Sequence, residues 1–319
     1  MKMMRSVLAC IMCLMPQFLA AEDVMIGYGD FEQWVERNYK ESAIIGGNRK
    51  TLLEIGPNAV WPEGMAYTNQ GSSPWATSNV YAKVAGVVKT NTSVYRDSHV
   101  GHGSCVKLVT HIESVKVIGL INIRVLAAGS LFTGEMKEPI TSSKNPMSNM
   151  DIGVAFTQRP RAVKYDYKVQ LSDSPNRIRE TGFSKVTQVD GRDMAEAVVI
   201  LQQRHEDAKG NLTAHRVGTM IVRYSSSTPS WINDREYEIH YGDISRESWY
   251  RPYMGLISGE RTFYAKNSKG KLVPCPETGW ASMDATPTHA IIKFDSSHGG
   301  AYVGSVGNTL WVDNVRWVY

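Results

Sequence analysis

The sequence predicts an all-β fold: a jelly-roll β-sandwich with long decorating loops. Three observations carry this. Short runs of alternating apolar and polar residues recur along the chain, Gly- and Pro-rich turns separate them, and no stretch offers an amphipathic helix beyond short pieces. An immunoglobulin-type sandwich closes in roughly 100 residues. A chain of 319 residues with no repeat and no low-complexity linker is better met by a jelly roll carrying insertions, one domain over residues 22–319.

Residues 1–21 read as a secretory signal peptide. Lys2 and Arg5 precede an apolar run from Val7 to Leu19, and Leu19-Ala20-Ala21 makes a small-residue exit before Glu22. The run is too short for a membrane span and is broken by Pro16 and Gln17. The apolar stretch ahead of Cys10 is too brief to favour a lipid anchor there. The expected location is the periplasm, the cell surface or the medium, with no transmembrane segment in the mature chain. Lys and Arg number 35 against 31 Asp and Glu, a balance without the basic face that nucleic acid requires. Cys10 and Cys13 leave with the signal. Cys105 and Cys275 either pair in an oxidising compartment or act as two small buried hydrophobes.

The elements follow in order. Gly29 to Trp34 (GDFEQW) opens the domain, with Glu32 beside the first core aromatics. Asn38 to Ser78 is rich in Gly, Pro, Asn and Ser and reads as long loop. Val80 to Val88 and Ser104 to His111 read as strands. Ile112 to Ala128 is β-branched and nearly continuous, which suits a strand buried on both faces. Met136 to Met150 is a polar insertion. Val163, Tyr165, Tyr167 and Val169 alternate with Lys164, Asp166, Lys168 and Gln170, a half-buried strand that Arg159-Pro160 enters extended. Ser172 to Thr187 is turn-rich. Met194 to Gln203 is apolar on both faces, Asp207 to Asn211 is a hairpin turn, and Val217 to Tyr224 returns. Glu236 to Tyr241 alternates, and Gly242 to Gly279 is loop-like.

The C-terminus is the most informative stretch. Ala290, Ile292 and Phe294 share a strand face. In the last strand Leu310 and Val312 are in phase, but the apolar phase moves to Val315, Trp317 and Tyr319. A buried face that changes parity in mid-strand requires an extra residue, which places a β-bulge at Asp313-Asn314.

Taken together, GDFEQW at 29–34, SCVKLVTH at 104–111, AAGSLFTGEM at 127–136, GVAFTQRPRAVKYDYKV at 153–169 and IIKFDSSHGGAYVGSVGNTLWVDNVRWVY at 291–319 resemble the putative carbohydrate metabolism domain family. That is a β-jelly roll of exported Bacteroidetes proteins. The resemblance implies export, a jelly roll and a link to glycans. It supplies no catalytic residues.

Four sets of residues are candidates for chemistry. Glu32 and Asp313 form the first. Jelly-roll carbohydrate-binding modules commonly hold a structural calcium between an acid after the first aromatic and an acid on the last strand, and this pattern is similar. Calcium takes six to eight hard oxygens, which two carboxylates, backbone carbonyls and an Asn could supply. The alternative is a bulge Asp and a surface Glu. The second set is Trp249, Tyr250, Arg251 and Tyr253, the densest of the loop aromatics. Flat rings stack on the C–H face of a sugar while polar neighbours take its hydroxyls. Trp61, Trp75, Trp231 and Trp280 more often pin loops to a sandwich. His99-Val100-Gly101-His102-Gly103-Ser104-Cys105 has the look of half a zinc site, but no second half follows in sequence, and its glycines suit a turn. Arg159 suits an anchor pairing with an acid such as Asp166 or Asp151. No Gly-x-Ser-x-Gly elbow occurs, and Asp193 and Glu196 of the nearest acid cluster would face opposite sides of a strand. The expected function is therefore non-catalytic binding of a polysaccharide or oligosaccharide. The alternatives are a glycoside hydrolase or polysaccharide lyase of the same fold and a structural or adhesion protein that binds another protein.

Overall fold

Two antiparallel sheets face one another across a shared apolar layer. The computed structural model describes residues 22–84, 86–117, 121–142, 145–182 and 184–319; the expected signal segment, residues 1–21, lies outside them. In the first sheet the strand order is Ile232–Glu238, Ala162–Gln170, Thr309–Val318, Gly103–Val109 and Val94–His99. Asp23–Met25 also pairs with the last strand, Asp23 lying opposite Val318. The head of the domain is thereby stapled to its tail. The second sheet runs Met150–Ile152, Ser130–Met136, His289–Asp295, Ala195–Glu206, Leu212–Tyr224 and His240–Tyr241. Among the described residues no helix is long and apolar enough to cross a membrane.

Strand alternation explains the core. Val106, Leu108, Val163, Tyr165, Leu310 and Val312 point inward from the first sheet, and Ala197, Val199, Leu201, Val217, Ile292 and Phe294 from the second. The buried hydroxyls of Tyr165 and Tyr224 satisfy each other at 2.6 Å. The second sheet also buries its back. Val198, Ile200, Ile221 and Ile291 pack beneath Ile257, Tyr253, Met254 and Phe263 of the 242–288 segment. A strand covered on both faces has no polar side, which is why Ala195 to Leu201 lacks alternation.

The parity slip of the last strand is present. Opposite Lys164 and Asp166 stand Arg316 and Asp313, so one strand spends an extra residue. Asn314 absorbs it at φ 53°, in the left-handed region that Asn tolerates better than most. The other neighbour of Ala162–Gln170 also slips, between Tyr165 and Tyr167, with Asp234 at φ 52°. Irregularities on both sides thus flank Asp166.

Several local expectations are corrected. Ile112–Ala128 is not one strand. It folds into the hairpin His111–Val117 and Ile121–Ala127, in register from His111 opposite Ala127 to Val117 opposite Ile121; the linking residues 118–120 lie outside the described residues. Val80–Val88 likewise folds back as Val80–Val84 and Val87–Asn91, with Gly86 at φ 80° supplying a turn conformation that side chains resist. The Asn38–Ser78 stretch contains Arg49–Ile55, Ala59–Trp61 and Trp75–Thr77, strands too short or too irregular in pattern to stand out from the Gly, Pro, Asn and Ser around them. Arg159 does not pair with Asp166 or Asp151. Its guanidinium donates to the carbonyls of Ala285 and Met283 and lies 4.1 Å over the ring of Tyr241, so it anchors a loop through backbone oxygens. Cys105 and Cys275 are free and buried.

Candidate functional site

Two places concentrate chemistry. One is on the outer face of the first sheet, built by strand register. With Leu108 and Leu310 inward, their neighbours Lys107 and Trp311 point outward beside Lys168. One step along the strands, Asp313 lies opposite Asp166, and beyond them His99 pairs with Gly103. Gly103 is required there, because a Cβ would fall 2.0 Å from Glu32 Oε1, and its φ is 95°. Glu32 Oε1 instead accepts the Ser104 N–H at 2.8 Å. Asp313, Asp166 and His99 therefore share one buried cluster, with the half-buried Glu32 at its edge.

Within it, His99 Nδ1 is 2.8 Å from Asp313 Oδ2 and 3.9 Å from Asp166 Oδ2. Asp166 Oδ1 accepts the Asp234 N–H at 2.6 Å, and its Oδ2 accepts from Asn314 Nδ2 at 2.8 Å. Asp313 Oδ1 accepts the Asn314 N–H at 2.8 Å. Both bulge residues with left-handed backbones thus serve the acids. The His99 ring is enclosed, with Trp231 stacked at 3.7 Å between centroids and His102 at 4.2 Å. Burial pushes the Asp313 carboxyl up to about 8; the Asn314 amide opposes this, and the charges of Asp166 and Glu32 add to it. Burial likewise holds the His99 imidazole below its ordinary value, with Asp166 opposing. Both directions favour the uncharged Asp313–His99 pair. Burial pushes the nearby Cys105 thiol up to about 12, so it is not a ready nucleophile.

This arrangement does not suit hydrolysis. A glycosidase needs its two carboxyls on either side of the scissile bond. Here the His99 ring stands against both acids, and His99, Asp166 and Asp313 expose 2, 1 and 0 % of their surfaces. Calcium prefers a cage of oxygens, whereas the atom facing Asp313 Oδ2 is an imidazole nitrogen.

The second place is a groove of about 180 Å³ at the edge of the second sheet, lined by Thr219, Tyr237, Glu238, His240, Trp249 and Met254 among others. Trp249 is 36 % exposed, its ring 4.2 Å from that of His240. The other residues of the predicted aromatic set are dispersed. Tyr250 turns its hydroxyl toward Gly255, Arg251 is exposed and donates to the Tyr250 carbonyl at 2.9 Å, and Tyr253 lies under the Arg223 guanidinium at 4.3 Å. The segment is held from below. Arg216 Nε donates to Glu277 Oε1 at 2.7 Å, its Nη2 donates to Glu277 Oε2, and its two Nη groups reach the carbonyls of Met254 and Gly255 at 3.3 and 3.4 Å. Glu277 Oε2 also accepts the Ile257 N–H at 2.7 Å.

Sequence reasoning missed His240 and Glu238 as groove residues. Their signal was the polar side of the Glu236–Tyr241 alternation. The remaining tryptophans hold loops. Trp75 is wholly buried, Trp61 meets Tyr67 edge-on at 5.3 Å, and Trp280 lies 5.5 Å below Arg216. Asp193 and Glu196 take separate partners, Ser297, His298 and the Ser305 N–H for the first and Arg223 for the second.

The family model described as "Putative carbohydrate metabolism domain" matches residues 58–318. Among solved structures, the chain is similar to a putative glycoside hydrolase from Bacteroides thetaiotaomicron, at 16% identity and TM-score 0.43, over 85% of this chain and 75% of that one. It is also similar to a putative glycoside hydrolase from Bacteroides vulgatus, at 15% identity and TM-score 0.39, over 94% and 95%. A third is a carbohydrate-binding module, CBM28, described as specific for non-crystalline cellulose, at 10% identity and TM-score 0.27, over 80% and 96%. No curated protein sequence matches.

Proposed function

We propose that this chain, which belongs to the putative carbohydrate metabolism domain family, is an exported protein of the periplasm or cell surface that binds a polysaccharide or oligosaccharide without cleaving it. The observation that carries this reading is the Trp249 groove: a half-open indole beside an imidazole, a carboxylate and a hydroxyl. Stacking takes the apolar side of a sugar ring, while Glu238, His240 and Thr219 are placed for its hydroxyls. The enclosed state of Asp166 and Asp313 supports binding over hydrolysis, because water and substrate would have to pass the His99 ring and Trp231. Export is supported by the composition of residues 1–21.

A glycan array followed by mass spectrometry of the bound oligosaccharides tests the proposal. Saturable binding with unchanged masses is expected. Shortened or unsaturated products would replace it with a hydrolase or lyase, and an array without any binder would replace it with a protein-binding role.

A further inference from the structure

We propose that His99, His102 and Asp166 bind a divalent transition metal of the zinc type, through two imidazole nitrogens and one carboxylate oxygen. The ligand-capable atoms of these three residues all lie within 4.8 Å of one another. Bonds of 2.0–2.2 Å in a tetrahedral site put neighbouring donors roughly 3.4 Å apart. The cluster therefore has to tighten by only ~1.4 Å or less across any pair of donors. His102 is the member free to make that move. It is exposed at the tip of the Val94–His99/Gly103–Val109 hairpin, and its Nε2 has only a long 3.4 Å approach to Asn233.

Charge points the same way. Buried Asp166 and Asp313 meet at one place, yet among the described residues neither is ion-paired with a Lys or Arg; both face His99. Carboxylates removed from water call for a cation. Several of the chain's other buried acids have one: Glu54 and Glu138 share Arg37, and Glu277 has Arg216, whereas Asp193 is held by His298, Ser297 and the Ser305 N–H. A metal ion would supply a cation to Asp166. The donor set decides its class. Imidazole nitrogens suit zinc and its neighbours, whereas calcium and magnesium take oxygen. The surrounding hydrogen bonds are those that fix metal ligands in orientation: Asp313 against the His99 ring, and the Asp234 N–H and Asn314 amide on Asp166. The ion would tie the hairpin tip and the Ala162–Gln170 strand together beside the bulge.

The test uses the chain from residue 22 onward, freed of any purification tag and stripped with a chelator. Zinc and calcium are titrated separately by calorimetry, bound metal is counted by mass spectrometry, and cobalt is added as a coloured probe. One equivalent of zinc is expected, with a tetrahedral cobalt spectrum. His102→Ala and Asp166→Asn should each weaken zinc at least tenfold, and His240→Ala should not. Because His102 is exposed, its variant should keep the parent's circular dichroism and metal-free melting temperature. The proposal is overturned by the absence of stoichiometric zinc, by zinc affinity unchanged in both ligand variants, or by calcium binding tighter than zinc and indifferent to His102→Ala.

Discussion

Replacing Glu277 with Ala should both destabilise the domain and unseat the groove. Glu277 accepts four donors: Arg216 Nε and Nη2, the Gln202 amide at 2.8 Å, and the Ile257 N–H. Its side chain and that of Arg216 are both completely buried. Truncation leaves a guanidinium cation in the interior with no counter-charge. Breaking one side of such a pair costs about 3–5 kcal/mol, far more than the pair's net worth. For a domain of this size each kcal/mol lowers the melting temperature by roughly 2–4 °C, so a fall of about 6–20 °C is expected. Arg216→Met combined with Glu277→Ala should recover part of that loss, because no charge is then stranded. The Ile257 N–H also loses its acceptor, and Arg216 loses the carboxylate that aims it at the Met254 and Gly255 carbonyls, so glycan affinity should fall along with stability. Thermal melts of the two single variants and the double variant provide the check. A Glu277→Ala cost below about 1 kcal/mol, or strict additivity in the double variant, would refute the reasoning.

Three further outcomes are expected. Burial, opposed by Arg37 and aided by Glu138, pushes Glu54 up to about 7. A carboxyl raised in the folded state binds its proton more tightly there than in the unfolded chain. Its contribution is therefore complete below the unfolded value of about 4.3 and is lost as pH rises toward 7, an effect of order 3 kcal/mol. Glu54→Gln should flatten that part of the stability–pH curve, as urea melts across pH 4 to 8 would show. Gly103→Ala would drive a Cβ into Glu32 at a backbone angle that alanine resists. It should cost about 2 kcal/mol or more and displace Glu32, readable by denaturant unfolding. Asn314→Gly should keep the bulge, while Asn314→Val should cost about 1–3 kcal/mol, because a β-branched residue at φ 53° is strained.

The sheets were legible in the sequence where one strand face meets water, as in Val163 to Val169, and where both are covered, as in Ala195 to Leu201. The bulge was legible too, because a parity change has no other cheap explanation. The two hairpins at 80–91 and 111–127 were not, since the apolar run continues through each of them in sequence and nothing in its periodicity marks where the chain reverses. Glu32 and Asp313 could be named together through resemblance, but the imidazole beside them could not. His99 is 214 residues from Asp313 in sequence, and only strand register brings them together. The aromatic cluster 249–253 showed its composition and hid its directions. Trp249 faces the groove while Tyr253 faces the back of the sheet, because that segment has no regular period from which a direction could be read.

The most direct measurement is affinity electrophoresis in a polysaccharide that retards the parent chain, with Trp249→Ala and Trp61→Ala run beside it and the polysaccharide assayed for new reducing ends. Loss of a stacking indole is worth about 2 kcal/mol, roughly thirtyfold in affinity. Trp249→Ala should therefore migrate as if no glycan were present, Trp61→Ala should be retarded like the parent, and no reducing ends should appear. Equal retardation of Trp249→Ala and the parent, or reducing ends that grow with time, would contradict binding without cleavage in this groove.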